Sequence, residues 1–340
     1  MDILFSTFLD KPVWMWALFL GLVIGLLAMD LGLFHRETRE IGVRESLFMS
    51  AFYIAIAIAF GVWVWQNLGS QAGTEYFTGF LVEKTLALDN IFVISLIFGT
   101  LAIPAVYQHR VLFWGILGVI VLRAIMIGAG ATLVAEFSWL LYIFAFFLIA
   151  TGVKMLIVGD HAPDIENNPV LKFMRRVMRI TPAIEGERFF VRKFDPATGK
   201  LALWATPLFV ALVLVEIVDL IFAVDSIPAI FAITTDPYVI YTSNIFAILG
   251  LRALYFALAA VIHRFKYLKQ ALALVLVFIG SKIFAADLMG WEKFPASASL
   301  GITLALLAGG IVYSLYRTRE SARAARCDRK YSRGRSGFCC

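Results

Sequence analysis

The stretch FLVEKTLALDNIFVISLIF, residues 80 to 98, places Glu83, Lys84, Asp89 and Asn90 inside an apolar run long enough to cross a bilayer. On insertion scales a charge near the centre of a membrane helix costs about 2.5 to 3.5 kcal/mol, so Glu83 and Asp89 together ask for roughly 5 to 7 kcal/mol. A chain that keeps them must use them.

The surrounding sequence says membrane. The chain has 340 residues, 61% of them hydrophobic and only 16% charged, with a mean hydropathy of +0.85, which excludes a water-soluble fold of this length. A hydrocarbon core about 30 Å thick needs apolar runs of about 20 residues. Nine are present, near 13–34, 46–66, 76–100, 111–133, 136–157, 205–233, 240–262, 268–288 and 297–316. The net charge of +6 follows topology rather than nucleic-acid binding. Alternate loops hold Arg36, Arg39 and Arg44; Arg110; eight basic residues from Lys172 to Lys200; and Arg264, Lys266 and Lys269. The other side shows only Lys11 and Lys293. The positive-inside rule then puts the N-terminus outside and the C-terminus inside, as an odd number of spans requires.

Three consecutive spans are repeated. VEKTLALDNIFVI (82–94) aligns with VDLIFAVDSIPAI (218–230), matching Glu83 to Asp219, Asp89 to Asp225 and Asn90 to Ser226. GVIVLRAIMI (118–127) aligns with AILGLRALYF (247–256), matching Arg123 to Arg252, and LIATGVKMLI (148–157) with VFIGSKIFAA (277–286), where a one-residue shift matches Lys154 to Lys282. A unit with an odd number of spans reverses its orientation when copied, so the repeats are inverted, the architecture of many secondary transporters. The expected fold is an all-α polytopic membrane protein with nine transmembrane helices and an inverted three-plus-three repeat. Its parts are flanking spans in 1–75, a first repeat in 76–157, a cytoplasmic segment in 158–204, a second repeat in 205–288, a ninth span in 289–316 and a basic tail in 317–340. The segment NPVLKFMRRVMRI (168–180) reads as an amphipathic helix on the inner leaflet, and 188–206 as a hairpin around DPATGK. The tail reads as disordered. It holds all three cysteines, Cys327, Cys339 and Cys340, so no dithiol centre lies among the spans.

The intramembrane carboxylates Glu83, Asp89, Glu216, Asp219 and Asp225 face the cations Lys84, Arg123, Lys154, Arg252 and Lys282. These ten could be structural ion pairs only. Buried pairs rarely stabilise more than apolar packing does, however, and intramembrane charges usually line a pathway. Six residues of helix leave Glu83 and Asp89 about 120° apart and about 9 Å apart in height. Pro228 follows Asp225 by three residues, and DN and DS are weak helix formers. Helix breaks near Asp89 and Asp225 are therefore expected, giving an oxygen-rich site between the halves. Oxygen ligands suit Mn²⁺, Mg²⁺ or Ca²⁺. The ligand set is Glu83, Asp89, Asn90, Glu216, Asp219, Asp225 and Ser226, with Lys84, Arg123, Lys154, Arg252 and Lys282 as charge partners. Asp30 and Asn244 are candidates for the ion path, although Asp30 could equally snorkel or cap. His35, His109, His161 and His263 fall in or beside loops and are poor ligand candidates.

LVEKTLALDNIFV, DLIFAVDSIPAIFAITTDP, LGLRALYF and GSKIF together resemble the TerC family of integral membrane proteins, Alx branch. The resemblance covers about 13–316; the Cys- and Arg-rich tail departs from it. It implies a nine-helix inner-membrane protein of a cation-transporter superfamily, linked to tellurium resistance by name and to Mn²⁺ export by function. A redox-modulator role for that branch fits poorly with spans that lack cysteine. The leading expectation is export of a divalent cation by alternating access, with the bilayer and the cation as partners, no tightly bound cofactor and no nucleic acid. A membrane scaffold or stress-response protein is the alternative. No HExxH, paired-aspartate protease or nucleophile motif favours an enzyme.

Overall fold

A computed structural model describes residues 6–9, 11–32, 42–157, 169–194, 200–259, 268–291 and 294–331. The side chains of Asp89 and Asp225 lie outside the described residues, although the backbone there is helical. His35, His161 and His263 also lie outside them.

The helices are α1 (Val13–Gly32), α2 (Val43–Thr100), α3 (Ala105–Glu136), α4 (Leu140–Ile157), α5 (Pro169–Val177), α6 (Pro207–Ile233), α7 (Pro237–Leu249), α8 (Leu251–Ala259), α9 (Leu268–Leu288) and α10 (Ala296–Tyr331). Eight helical stretches are long and apolar enough to cross a membrane, with α7 and α8 forming one of them. Straight, the 58 residues of α2 would reach about 87 Å, almost three times the hydrocarbon thickness. The chain instead reverses at Gly69, whose φ of +92° a side chain would strain. Tyr76 donates from its hydroxyl to the Ala57 carbonyl at 3.0 Å, and a Cβ on Gly73 would come within 2.6 Å of that of Trp65. Its two limbs therefore run antiparallel as separate spans, so the described residues make nine crossings. Lipid-facing positions stay apolar along them, among them Ile24, Ile125, Phe146, Ile221 and Val312.

The repeat is visible in the packing. A Cβ on Gly152 of α4 would meet the Ala273 carbonyl of α9 at 2.6 Å and Val277 at 2.7 Å. One on Gly280 of α9 would meet the Ala145 carbonyl of α4 at 2.5 Å and Ile149 at 2.8 Å. Subtracting the offset that relates Lys282 to Lys154 (282 − 154 = 128) turns Gly280 into Gly152, Ala273 into Ala145 and Val277 into Ile149. Small residues let these backbones approach, and the antiparallel crossing maps onto itself, as a two-fold axis between inverted units requires.

Three sequence expectations need correction. No break occurs near Asp89 or Asp225: α2 is helical from Gly69 to Thr100, and α6 runs through Pro228 to Ile233. A proline removes one backbone hydrogen bond, and inside a membrane bundle neighbouring helices re-satisfy the freed group. The interrupted helix is instead the seventh span, divided at Gly250 between α7 and α8. Finally, the tail is helical as far as Tyr331. Residues 317–331 are rich in Arg and Ala and contain neither Gly nor Pro, so nothing in their composition stops α10.

Outside the bundle, β1 (Thr7–Phe8) pairs with β2 (Lys11–Pro12), and β3 (Phe190–Phe194) pairs antiparallel with β4 (Leu201–Ala205). Helix α5 buries Leu171 and Met174 in the cluster containing Phe98, Leu208 and Leu214, and exposes Phe173 and Val177. It is thus docked on the end of the bundle through one face.

Candidate ion site at the repeat junction

Helices α2, α3, α6 and α7 converge on Arg123. This arginine of α3 is 1% exposed, one of the most buried large side chains in the protein. Its Nη1 donates to Glu83 Oε1, to Ser226 Oγ at 3.0 Å and to Asn244 Oδ1 at 3.2 Å. Nη2 and Nε reach Asp219 Oδ1 and Oδ2 at 3.4 and 3.5 Å. Around this centre, Asn244 Nδ2 donates to Glu83 Oε2 at 3.1 Å, and Asn90 Nδ2 to Asp219 Oδ1 at 3.2 Å. One guanidinium therefore ties together Glu83 of the first repeat and its counterpart Asp219 of the second. Five planar donors suit a guanidinium to this bridging better than a point-charge ammonium.

The cluster carries excess negative charge and spare oxygens. Glu83 and Asp219 against Arg123 leave a formal −1 (−2 + 1), and Glu216, one turn before Asp219 on α6, makes it −2. The Glu216 carboxylate lies where a Cβ on Gly118 of α3 would overlap it, so Gly118 is what makes room for it. Two buried oxygens accept from nothing among the described residues: Glu216 Oε2 and Asn90 Oδ1. Neither carries a proton to donate when the carboxylate is ionised, so both can answer only a donor or a cation.

The remaining predicted partners go elsewhere. Arg252, the counterpart of Arg123, is buried against Asp30 of α1. Tyr53 also hydrogen-bonds Asp30. Asp30 is therefore neither snorkelling nor a cap, but half of a buried ion pair outside the repeat. Lys84 donates to the Ala247 carbonyl at 3.0 Å, in the last turn of α7 where the break at Gly250 leaves carbonyls without helical partners. Lys154 is exposed, and among the described residues no ion pair joins it to the carboxylates. Lys282 is buried at 6% exposure and donates to Ser299 Oγ of α10 at 3.1 Å. Of the five predicted charge partners, Arg123 is the one that pairs with Glu83 and Asp219 among the described residues. Asn244 proves to be part of the cluster itself, while Glu75, Ser243 and Ser299 are buried polar residues that no motif in the sequence singles out. Among the described residues, no group of three or more His, Cys, Asp or Glu side chains is arranged to hold a metal ion.

Nine membrane crossings around a buried, charge-bearing junction of two inverted units define a polytopic α-helical membrane protein. The description Integral membrane protein TerC family matches residues 68–322, and the chain belongs to that family. It is 50% identical over 302 residues to an uncharacterized membrane protein of Rickettsia bellii (89% of this chain, 97% of the relative). It is 47% identical over 307 residues to one of Myxococcus xanthus (90% and 93%). A protein of Photorhabdus laumondii named putative membrane-bound redox modulator Alx is 42% identical over 317 residues (91% and 96%). No solved structure matches the chain.

Proposed function

We propose that the chain carries a divalent cation, Mn²⁺ foremost, across the membrane, and that Arg123 holds the carboxylates of the empty site. The observation that carries this reading is the bridging of repeat-related Glu83 and Asp219 by one buried guanidinium. An arginine between two carboxylates supplies the positive charge that a cargo ion would bring, so the two compete for the same oxygens. Arrival of a divalent cation releases Arg123, and departure of the cation draws the guanidinium back; the cluster is never left with bare buried carboxylates, whose cost would be several kcal/mol per ion. Asp89 and Asp225, six residues further along the same two helices, complete the ligand set. Ser, Asn and carboxylate oxygens favour Mn²⁺, Mg²⁺ or Ca²⁺ over thiophilic metals. A thiol-based redox role, which the names of some relatives would invite, would have to rest on Cys327, Cys339 and Cys340.

The test is Mn²⁺ flux into proteoliposomes. Wild-type protein should raise flux above empty vesicles, and Glu83→Gln and Asp219→Asn should each remove most of it while still inserting. Absence of flux for the wild type, or wild-type flux in both variants, overturns the reading.

A further inference from the structure

A cavity of about 290 Å³ opens at the end of the bundle that carries the turns near Ser138, Thr235 and Gly290. That is room for on the order of ten waters. Among the described residues its charged lining is Glu75 of α2, Asp287 and Lys282 of α9, a formal −1 (−2 + 1). Lys282 Nζ is parked on Ser299 Oγ and Glu75 accepts from Gln71 Nε2 at 3.0 Å, so both charges are held at the wall rather than across the opening.

Three helices connect this cavity to the ion cluster. On α2 the lining ends at Thr78 and the cluster begins at Glu83; on α6 the lining begins at Phe231 and the cluster lies at Ser226; on α7 the chain descends from the Thr235 turn to Asn244. The residues that fall between on each helix touch one another. A Cβ on Gly79 would meet Ser243 Oγ at 2.9 Å and Ile230 Cδ1 at 3.2 Å. Ile230 and Ser243 are both buried. From Phe231 to Ser226 the helical rise is only about 8 Å, and from Thr78 to Glu83 the same, so there is space for little more than one layer of side chains. The opposite end holds a second cavity, of about 440 Å³, beside Leu101, Arg175 and Pro207, but Phe98, Leu208, Ala211 and Leu214 there are fully buried, with Leu171 and Met174 of α5 packed onto them.

We propose that the cavity is the aqueous vestibule through which the cation enters or leaves the cluster, and that Gly79, Ile230 and Ser243 form the thin gate between them. A mildly acidic vestibule concentrates cations without binding them tightly, and Gly79 leaves the gate thin enough for small movements of α6 or α7 to open it. The cargo named here rests on the transport reading above; the access geometry does not.

Cysteine accessibility tests the geometry without relying on transport. The three tail cysteines are first changed to serine, leaving a bundle without thiols. Single Ser138→Cys at the rim, Ile283→Cys in the cavity and Ser226→Cys below the gate are then exposed to a membrane-impermeant cationic methanethiosulfonate on one face at a time. Ser138→Cys and Ile283→Cys should react from the face bearing the 138 and 290 turns. Ser226→Cys should react at least about tenfold more slowly, the lag expected of a site reached only through a minor open state, and Ile230→Ala should shorten that lag. A silent Ile283→Cys in a protein whose Ser138→Cys reacts overturns the vestibule. Reaction of Ser226→Cys as fast as Ile283→Cys, with Ile230 intact, overturns the gate. The expected labelling in a protein that moves no Mn²⁺ keeps the vestibule and removes the transport reading; the reverse combination removes the vestibule alone.

Discussion

Arg123 and Arg252 occupy the same place in the repeated LRA tripeptide and both are buried, yet they sit in different chemistry. Arg123 holds two carboxylates, one from each repeat, together with Ser226 and Asn244. Arg252 holds Asp30, a residue of the first helix that the repeat does not contain. Duplication supplied two equivalent cations, and the flanking helix claimed one of them. The lesson concerns how an inverted repeat becomes asymmetric at its core. α1 gives Arg252 a counterion from outside the repeat, while Glu83 and Asp219 of the two units share Arg123.

The largest effect expected from that contrast is at Arg123. Arg123→Met leaves Glu83 and Asp219 without their cation, and breaking a buried pair by removing one partner costs about 3 to 5 kcal/mol. Thermal unfolding in detergent should show the loss, and Glu83→Gln with Asp219→Asn in the same chain should restore much of it, because the charge left stranded is then gone. An Arg123→Met protein as stable as wild type would mean that the cluster is not an ion network.

Next comes Arg252→Met, which strands Asp30 among the described residues and should cost about 3 kcal/mol, at the lower end of that range. Adding Asp30→Asn should recover most of it. The transport readout separates the two arginines: the double variant of the Arg252 pair should keep Mn²⁺ flux, whereas the rescued Arg123 variant should have none. Flux that vanishes with the Asp30–Arg252 pair as well would make both arginines part of one pathway and dissolve the contrast.

The two arginines also differ in how far the sequence reveals their partners. The correspondence of Glu83 with Asp219, and the place of Arg123 among the candidate charge partners, follow from hydropathy and the internal alignment, because all three lie in the repeated spans. The partner of Arg252 does not, since Asp30 lies 222 residues away in a helix without a copy. The interrupted span is likewise not where local propensity puts it. Asp89 and Asp225-Ser226 argue for a break, but neighbouring helices outweigh them, and the break falls at Gly250, whose distinguishing feature is a tertiary one: Lys84 and Tyr53 crowd it. Depth is illegible for the lysines, because an alignment of spans does not say where each helix ends.

A smaller effect probes the symmetric part of the molecule. Gly152→Ala and Gly280→Ala each push a Cβ against a carbonyl of the opposing helix, at 2.6 and 2.5 Å. Overpacking of this kind costs about 1 to 3 kcal/mol. Since the contacts are related by the repeat, the two variants should lose the same stability within about 0.5 kcal/mol. Unequal losses would confine the symmetry to the backbone and leave the energetics of the crossing asymmetric.

The smallest effect belongs to the two repeat-related lysines. Lys154 lies three residues before the end of α4 and is exposed, so its ammonium can reach water along its own stem. Lys282 lies six residues before the end of α9, buried in the wall of the cavity, and donates a hydrogen bond to Ser299 of a helix outside the repeat. Lys154→Met should therefore change stability by no more than about 0.5 kcal/mol, the usual range for a surface substitution. Lys282→Met removes a hydrogen bond worth about 1 kcal/mol net and also relieves the burial of a charge, so its loss should stay near or below about 1 kcal/mol. Ser299→Ala separates these two contributions. It keeps the buried ammonium and takes away its acceptor, so it should cost more than Lys282→Met does, and the double variant should cost no more than Lys282→Met alone. If Ser299→Ala is silent, the ammonium draws its support from the cavity water or from Glu75 instead, and Lys282 joins Lys154 as a lysine that the fold merely solvates.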